Sequence, residues 1–141
     1  MNISARNIFK GTVSSVVNGS VNAEVSITLA DGTQIVSVIT NGAVERLGLK
    51  EGMVASAIVK ASSIIVGTFL LDAKLSARNI LSGTITKVIE GPVSSEVDIE
   101  IGSGNILSAV ITHGSSTKMG LAAGSRACAI FKASSVIIGV D

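Results

Sequence analysis

Two four-residue words hold most of the polar chemistry that this chain writes twice. Ser-Ala-Arg-Asn stands at 4–7 and again at 76–79, and Lys-Ala-Ser-Ser stands at 60–63 and again at 132–135. Each word joins one cation to hydroxyl groups, and neither contains an acid. A doubly charged tetrahedral oxyanion needs cations to balance it and hydroxyl or backbone N–H donors for its oxygens. It also needs the absence of a repelling carboxylate. Arg6 with Lys60 and Arg78 with Lys132 supply the charge; Ser4, Ser62, Ser76 and Ser134 supply hydroxyls. The small neighbours Ala5, Ala61, Ala77 and Ala133 let backbone amides approach a ligand. Thr40 and Thr112, each closing the word Val-Ile-Thr, add two more hydroxyls.

Other chemistries have little to work with. One histidine, His113, and one cysteine, Cys128, leave neither a zinc cluster nor an intrachain disulfide. His113 reads as a turn residue and Cys128 as a small packed strand residue. Glu24 and Glu96 are the only acids present at equivalent places in both halves, and each is isolated, so no nucleophile–base pair and no carboxylate pair is expected. The chain reads as a non-enzyme, with no protein-coordinated metal and no catalytic cofactor. The net charge of +1 provides no field for nucleic acid or an anionic membrane. An OB barrel that binds single-stranded nucleic acid, the alternative function, would need aromatic platforms. Phe9, Phe69 and Phe131 are the only aromatics, and their apolar neighbours read them into the core. The longest nearly apolar run, residues 64–71, is far short of the roughly 20 residues of a membrane helix. Arg6 and Lys10 interrupt any signal-peptide core. A cytoplasmic location is expected.

The elements that must carry these words follow from a duplication. A shift of 72 positions lays residues 3–67 on 75–139 without a gap, with about 30 of 65 pairs identical, the mark of a tandem repeat. The expected division is a first domain at 1–68, a short linker at 69–74 and a second domain at 75–141. Within the first repeat, 11–17 and 23–30 alternate apolar and polar residues, Asp31-Gly32 supplies a hairpin turn, and 34–40 forms a third strand. Residues 41–52 change period, and a short helix is expected to begin near Asn41 and stop at Gly48. Residues 53–60 and 62–67 return to strand. Five strands with a short helix between the third and fourth is the order of an OB-type barrel. The fold class is therefore all-β, two tandem OB-like five-stranded barrels.

A domain of this size buries only about 60% of its unfolded surface. With no Trp or Tyr and a mean hydropathy of +0.63, the surplus apolar surface points to association with further copies of the chain.

The chain resembles the molbindin family, the Mop or TOBE-type molybdate-binding domains in their tandem form. The residues that carry the resemblance are 3–13, 20–25, 38–40 and 58–67, with their partners in the second copy. The resemblance implies an OB-like barrel per repeat, homotrimeric association and oxyanion sites at interfaces between domains and subunits, holding molybdate or tungstate for storage or homeostasis. It places Ser4, Ala5, Arg6, Thr40, Lys60, Ala61 and Ser62 in one set, and Ser76, Ala77, Arg78, Thr112, Lys132, Ala133 and Ser134 in the other. Ser115, three residues past Thr112, joins the second set, whereas the first has Ala43 there. A second, axial type of site is implied at the turn between the first two strands: Ser20, Val21 and Asn22 in one copy, Val93 and Ser94 in the other. Pro92 removes an N–H that Ser20 offers. A wall of donors without an acceptor disfavours protonated phosphate, and donors fixed at the radius of molybdate reach sulfate poorly.

Overall fold

The computed structural model describes residues 1–70 and 73–141; of the expected linker, residues 71 and 72 lie outside the described residues. Among the described residues ten strands form two five-stranded sheets, accompanied by two short helices and two 3-10 turns.

The first strand determines the shape of each barrel. β1 (Asn7–Asn18) pairs with β4 (Val54–Val59) through its first half, from Asn7↔Val59 to Thr12↔Val54. Its second half pairs with β2 (Asn22–Thr28), from Thr12↔Thr28 to Asn18↔Ala23, with an irregularity between Val13 and Ser15. One long strand thus serves two neighbours by bending at a bulge, the usual way a small sheet curls on itself. Gly11 sits at the changeover, where a Cβ would lie 2.5 Å from the Thr28 carbonyl oxygen and 2.8 Å from Ile27 Cγ2. Only glycine permits that approach. β3 (Gln34–Thr40) completes the hairpin with β2, in register from Thr28↔Gln34 to Asn22↔Thr40.

Helix α1 (Asn41–Leu47) follows at once. Thr40 caps it, its Oγ1 accepting from Ala43 N at 3.1 Å, and Gly48 ends it in the left-handed region at φ 63°. The helix expected from Asn41 to Gly48 is present. The second repeat builds the same set: β6 (Asn79–Glu90), β7 (Ser94–Gly102), β8 (Asn105–Thr112), α2 (His113–Met119) and β9 (Arg126–Phe131). Thr112 caps α2 and Gly120 ends it at φ 62°. His113 is therefore the first helical residue rather than a turn residue.

The fifth strand of each sheet comes from the other repeat. β5 (Ile65–Gly67) pairs with β9, from Ile65↔Ile130 to Gly67↔Cys128, and β10 (Ile137–Gly139) pairs with β4, from Ile137↔Ile58 to Gly139↔Ser56. One compact unit accordingly comprises Met1–Val59 with Lys132–Asp141, and the other Lys60–Phe131. The sequence repeat, with its boundaries near 68 and 75, and the compact unit are different objects. The two all-β, OB-like barrels expected from the repeat are present, but each is closed by exchange.

Alternation sets each core. Val13, Val25, Ile27, Ile35 and Val59 are fully enclosed in the first unit; Ile85, Val97, Ile99 and Leu107 with Phe131 are enclosed in the second. Phe9 and Phe131 are core residues as expected. Phe69 is not: it is 97% exposed with φ 54°, because it follows the last paired residue of β5 and no longer belongs to a sheet face. Cys128 is half-buried on β9, its Sγ 3.4 Å from Ser82 Oγ.

Candidate oxyanion site

The word Ser-Ala-Arg-Asn divides at the edge of the sheet. Asn7 and Asn79 open β1 and β6 and are 1% and 2% exposed, while Ser4, Arg6, Ser76 and Arg78 stand outside on the surface and Ala5 and Ala77 are half-buried. The asparagines are thus the structural members of the word. The sequence reading passed over them, although their identity in both copies was visible.

The word Lys-Ala-Ser-Ser does not continue the strand as expected. Lys60 is extended at φ −67°, ψ 137°, and Ala61–Ser63 form a single 3-10 turn held by Ser63 N to Lys60 O at 3.0 Å. Ala133–Ser135 repeat the turn with Ser135 N to Lys132 O at 2.9 Å. Three residues closing one tight turn cannot also pair in a ladder. In both turns the alanine points inward, Ala61 8% and Ala133 6% exposed, and Lys60, Ser62, Lys132 and Ser134 face solvent.

Register relates the two words. Asn7↔Val59 is the last pair of the β1–β4 ladder, so Arg6 precedes it on one strand and Lys60 follows it on the other. Asn79↔Phe131 ends the β6–β9 ladder, with Arg78 and Lys132 at the corresponding places. The last pair of each ladder is therefore flanked in sequence by an arginine on one strand and a lysine on the other.

The threonines fall elsewhere. Thr40 pairs with Asn22, and the residue after it is fastened to the preceding turn by Asn41 N to Val21 O at 2.9 Å. Thr112 pairs with Ser94, and His113 N reaches Val93 O at 3.0 Å. These bonds gather Thr40 with Val21 and Asn22, and Thr112 with Val93 and Ser94. Each turn is tight: Gly19 N donates to Asn22 O at 2.8 Å, and Gly91 N to Ser94 O at 3.0 Å. Ser20, Val21, Asn22, Val93 and Ser94 are all exposed. Thr112 Oγ1 donates to Ser115 Oγ at 2.8 Å and accepts from Ser115 N at 3.1 Å, so Ser115 belongs to this second group. The ladders thus arrange the expected residues as two groups, one cationic and one made of hydroxyls around a turn.

A family model described as the TOBE domain matches residues 3–66 and again 75–138. The chain belongs to the TOBE-domain family. The two TOBE matches coincide with the sequence repeats. The chain is similar to the molybdenum-pterin-binding protein MopA of Rhodobacter capsulatus, 39% identical over 99% of this chain and 53% of MopA. It is 43% identical to the molybdenum transport protein ModE of Azotobacter vinelandii over 99% of this chain and 52% of ModE. The TOBE pair thus spans about half the length of the curated relatives it matches. Among solved structures, the cytoplasmic molybdate-binding protein ModG with molybdate bound superposes with a TM-score of 0.97 at 41% identity, covering 100% of both chains. Among the described residues no cluster of three or more His, Cys, Asp or Glu is suited to a metal ion, and no helix is long and apolar enough to cross a membrane.

Proposed function

We propose that this chain binds molybdate, or tungstate, as an intact oxyanion and holds it in the cytoplasm for storage or homeostasis, without catalysis. The observation that carries this reading is the register of the two words: the last pair of each ladder is flanked in sequence by an arginine and a lysine, each in a word that carries serine and no carboxylate. Two cations and several donors are what a dianion requires, and charge-assisted hydrogen bonds are the strong ones. The likeness to ModG over the full length, and to MopA and ModE over half of theirs, supports molybdate as the anion.

The cationic group comprises Ser4, Ala5, Arg6, Lys60, Ala61 and Ser62, and its counterpart Ser76, Ala77, Arg78, Lys132, Ala133 and Ser134. Thr40 in one copy, and Thr112 with Ser115 in the other, lie with the turns at 19–22 and 91–94. The proposed state is a homo-oligomer, a trimer, as the resemblance to the molbindin family implies, in which another copy of the chain completes a site that uses both groups. Exposed Val17, Val21, Ile89 and Val93 beside the turns support burial against another copy.

Titration calorimetry with molybdate, combined with native mass spectrometry of the empty and loaded protein, tests the reading. Saturable molybdate binding to a trimer that forms even without ligand is expected. A monomer that takes up no molybdate would remove it.

A further inference from the structure

Helices α1 and α2 hold equivalent places in the two units, yet they are fastened differently. We propose that α2 is a loosely docked cap that opens locally on the second unit, whereas α1 stays fixed on the first.

Three equivalent positions carry the difference. Ser95 on β7 is 2% exposed and Ser116 in α2 is 1% exposed, and neither hydroxyl has a hydrogen-bond partner. The first unit places Ala23 and Val44 at these positions, also buried, with nothing polar to satisfy. Helix α2 packs on β7, the strand that carries Ser95, and Ser116 is the buried residue of α2. A buried hydroxyl without a partner favours any state in which water reaches it. Opening of α2 is such a state for both hydroxyls, whereas opening of α1 relieves one orphaned atom, Asn41 Oδ1.

The third position is the first residue of each helix. Asn41 Nδ2 donates to Gly19 O at 2.9 Å and straps α1 to the turn. His113 stands there in α2; its Nδ1 has no partner, as Asn41 Oδ1 has none, and its Nε2 reaches Thr117 Oγ1 at 3.4 Å, within α2 itself rather than across to the turn. Composition acts in the same direction. Helix α1 reads Asn-Gly-Ala-Val-Glu-Arg-Leu and α2 reads His-Gly-Ser-Ser-Thr-Lys-Met, so the middle of α2 consists of residues with poor helix propensity. A seven-residue helix has almost no stability of its own and depends on its docked face. In α1 that face is Val44; in α2 it is a serine. The expected result is local opening of the kind that precedes global unfolding.

Amide hydrogen exchange on the full chain decides it. The amides of 115–121 should have protection factors at least tenfold below those of 43–49. A chain carrying both Ser95→Ala and Ser116→Val should bring the two helices within threefold of each other, and Ala23→Ser with Val44→Ser should loosen α1 instead. Equal protection of the two helices in the unaltered protein would overturn the proposal. So would a Ser95→Ala, Ser116→Val chain, or the smaller Ser95→Ala, Ser116→Ala chain where valine overpacks the site, whose α2 exchanges as fast as before, since that result means that bound water or another partner already satisfies the hydroxyls.

Discussion

Ser37 Oγ donates to the carbonyl oxygen of Val136 at 2.7 Å, joining residues 99 positions apart. Ser37 lies in the third strand of the first repeat and Val136 just after the 3-10 turn of the second, so the bond fastens the exchanged segment to the sheet it completes. The second repeat has Ala109 at the equivalent position and lacks this strap. Ser37 is 1% exposed. Ser37→Ala should therefore cost about 1–2 kcal/mol in urea unfolding, since a buried hydrogen bond loses its donor. A change below about 0.3 kcal/mol would show the bond to be neutral.

Glycine at the barrel bend gives a second expectation. A Cβ on Gly83 would collide with the Glu100 carbonyl oxygen and lie 2.7 Å from Ile99 Cγ2. Backbone cannot yield as a flexible side chain does, so Gly83→Ala should destabilise by about 1–3 kcal/mol. Gly32→Ala supplies the contrast: no atom lies within 4 Å, but φ is 90°, so its cost is conformational alone. Thermal melts of the two variants compare steric with conformational cost.

The exchange of β5 and β10 predicts the behaviour of a half chain. Residues 1–68 alone contain β5, whose partner β9 is missing, and lack β10, which completes their own sheet. Such a fragment should form dimers by trading the strand, or remain unfolded. A folded monomeric fragment in sedimentation would show that β5 can close its own repeat.

Lysine at the turn separates ligand from scaffold. Lys60 and Lys132 are exposed and cap single 3-10 turns by backbone alone, with no side-chain cap bond. Lys60→Ala and Lys132→Ala should each weaken molybdate binding at least tenfold, because a partly desolvated dianion loses one of its cations. Stability should move by less than about 0.5 kcal/mol. Unaltered molybdate affinity in the double variant would make the repeated word a folding feature.

Selectivity follows from the same walls. Molybdate should still bind in calorimetry with millimolar phosphate present, since the protonated oxygen of phosphate finds no carboxylate in either word to accept its hydrogen. Equal competition would mean that charge alone governs the site.

Much of this architecture was legible in the sequence because local signals and final structure agree. Thr40 followed by Asn-Gly and closed by Gly48 writes a helix cap at each end, and the two-residue period of 34–40 survives as β3. The pairing partner of β5 was not legible, since nothing in Ile65–Gly67 distinguishes β9 from the strand of its own repeat. Both offer the same apolar edge, and chain connectivity decides. Phe69 was misplaced for a related reason. Apolar neighbours speak for burial only while the residue belongs to a face, and the sheet ends at Gly67. Arg6 and Lys60 stand out in the sequence because each recurs in the second copy. That Thr40 would stand with Asn22 required the β2–β3 register, which a spacing of 18 residues does not reveal.

Because each barrel takes its last strand from the other repeat, closure of this fold is a first-order event. A single-repeat chain that traded the same strand would have to find a partner, and its folded fraction would fall on dilution. Tandem duplication places the donor strand on the same polypeptide at an effective concentration set by the connecting segment. A single cut between the repeats would leave every non-covalent contact intact and still turn the molecule into a second-order system. Scarcity of the protein in the cell is then no threat to its fold, and newly made chains need no pool of their own kind to finish either barrel.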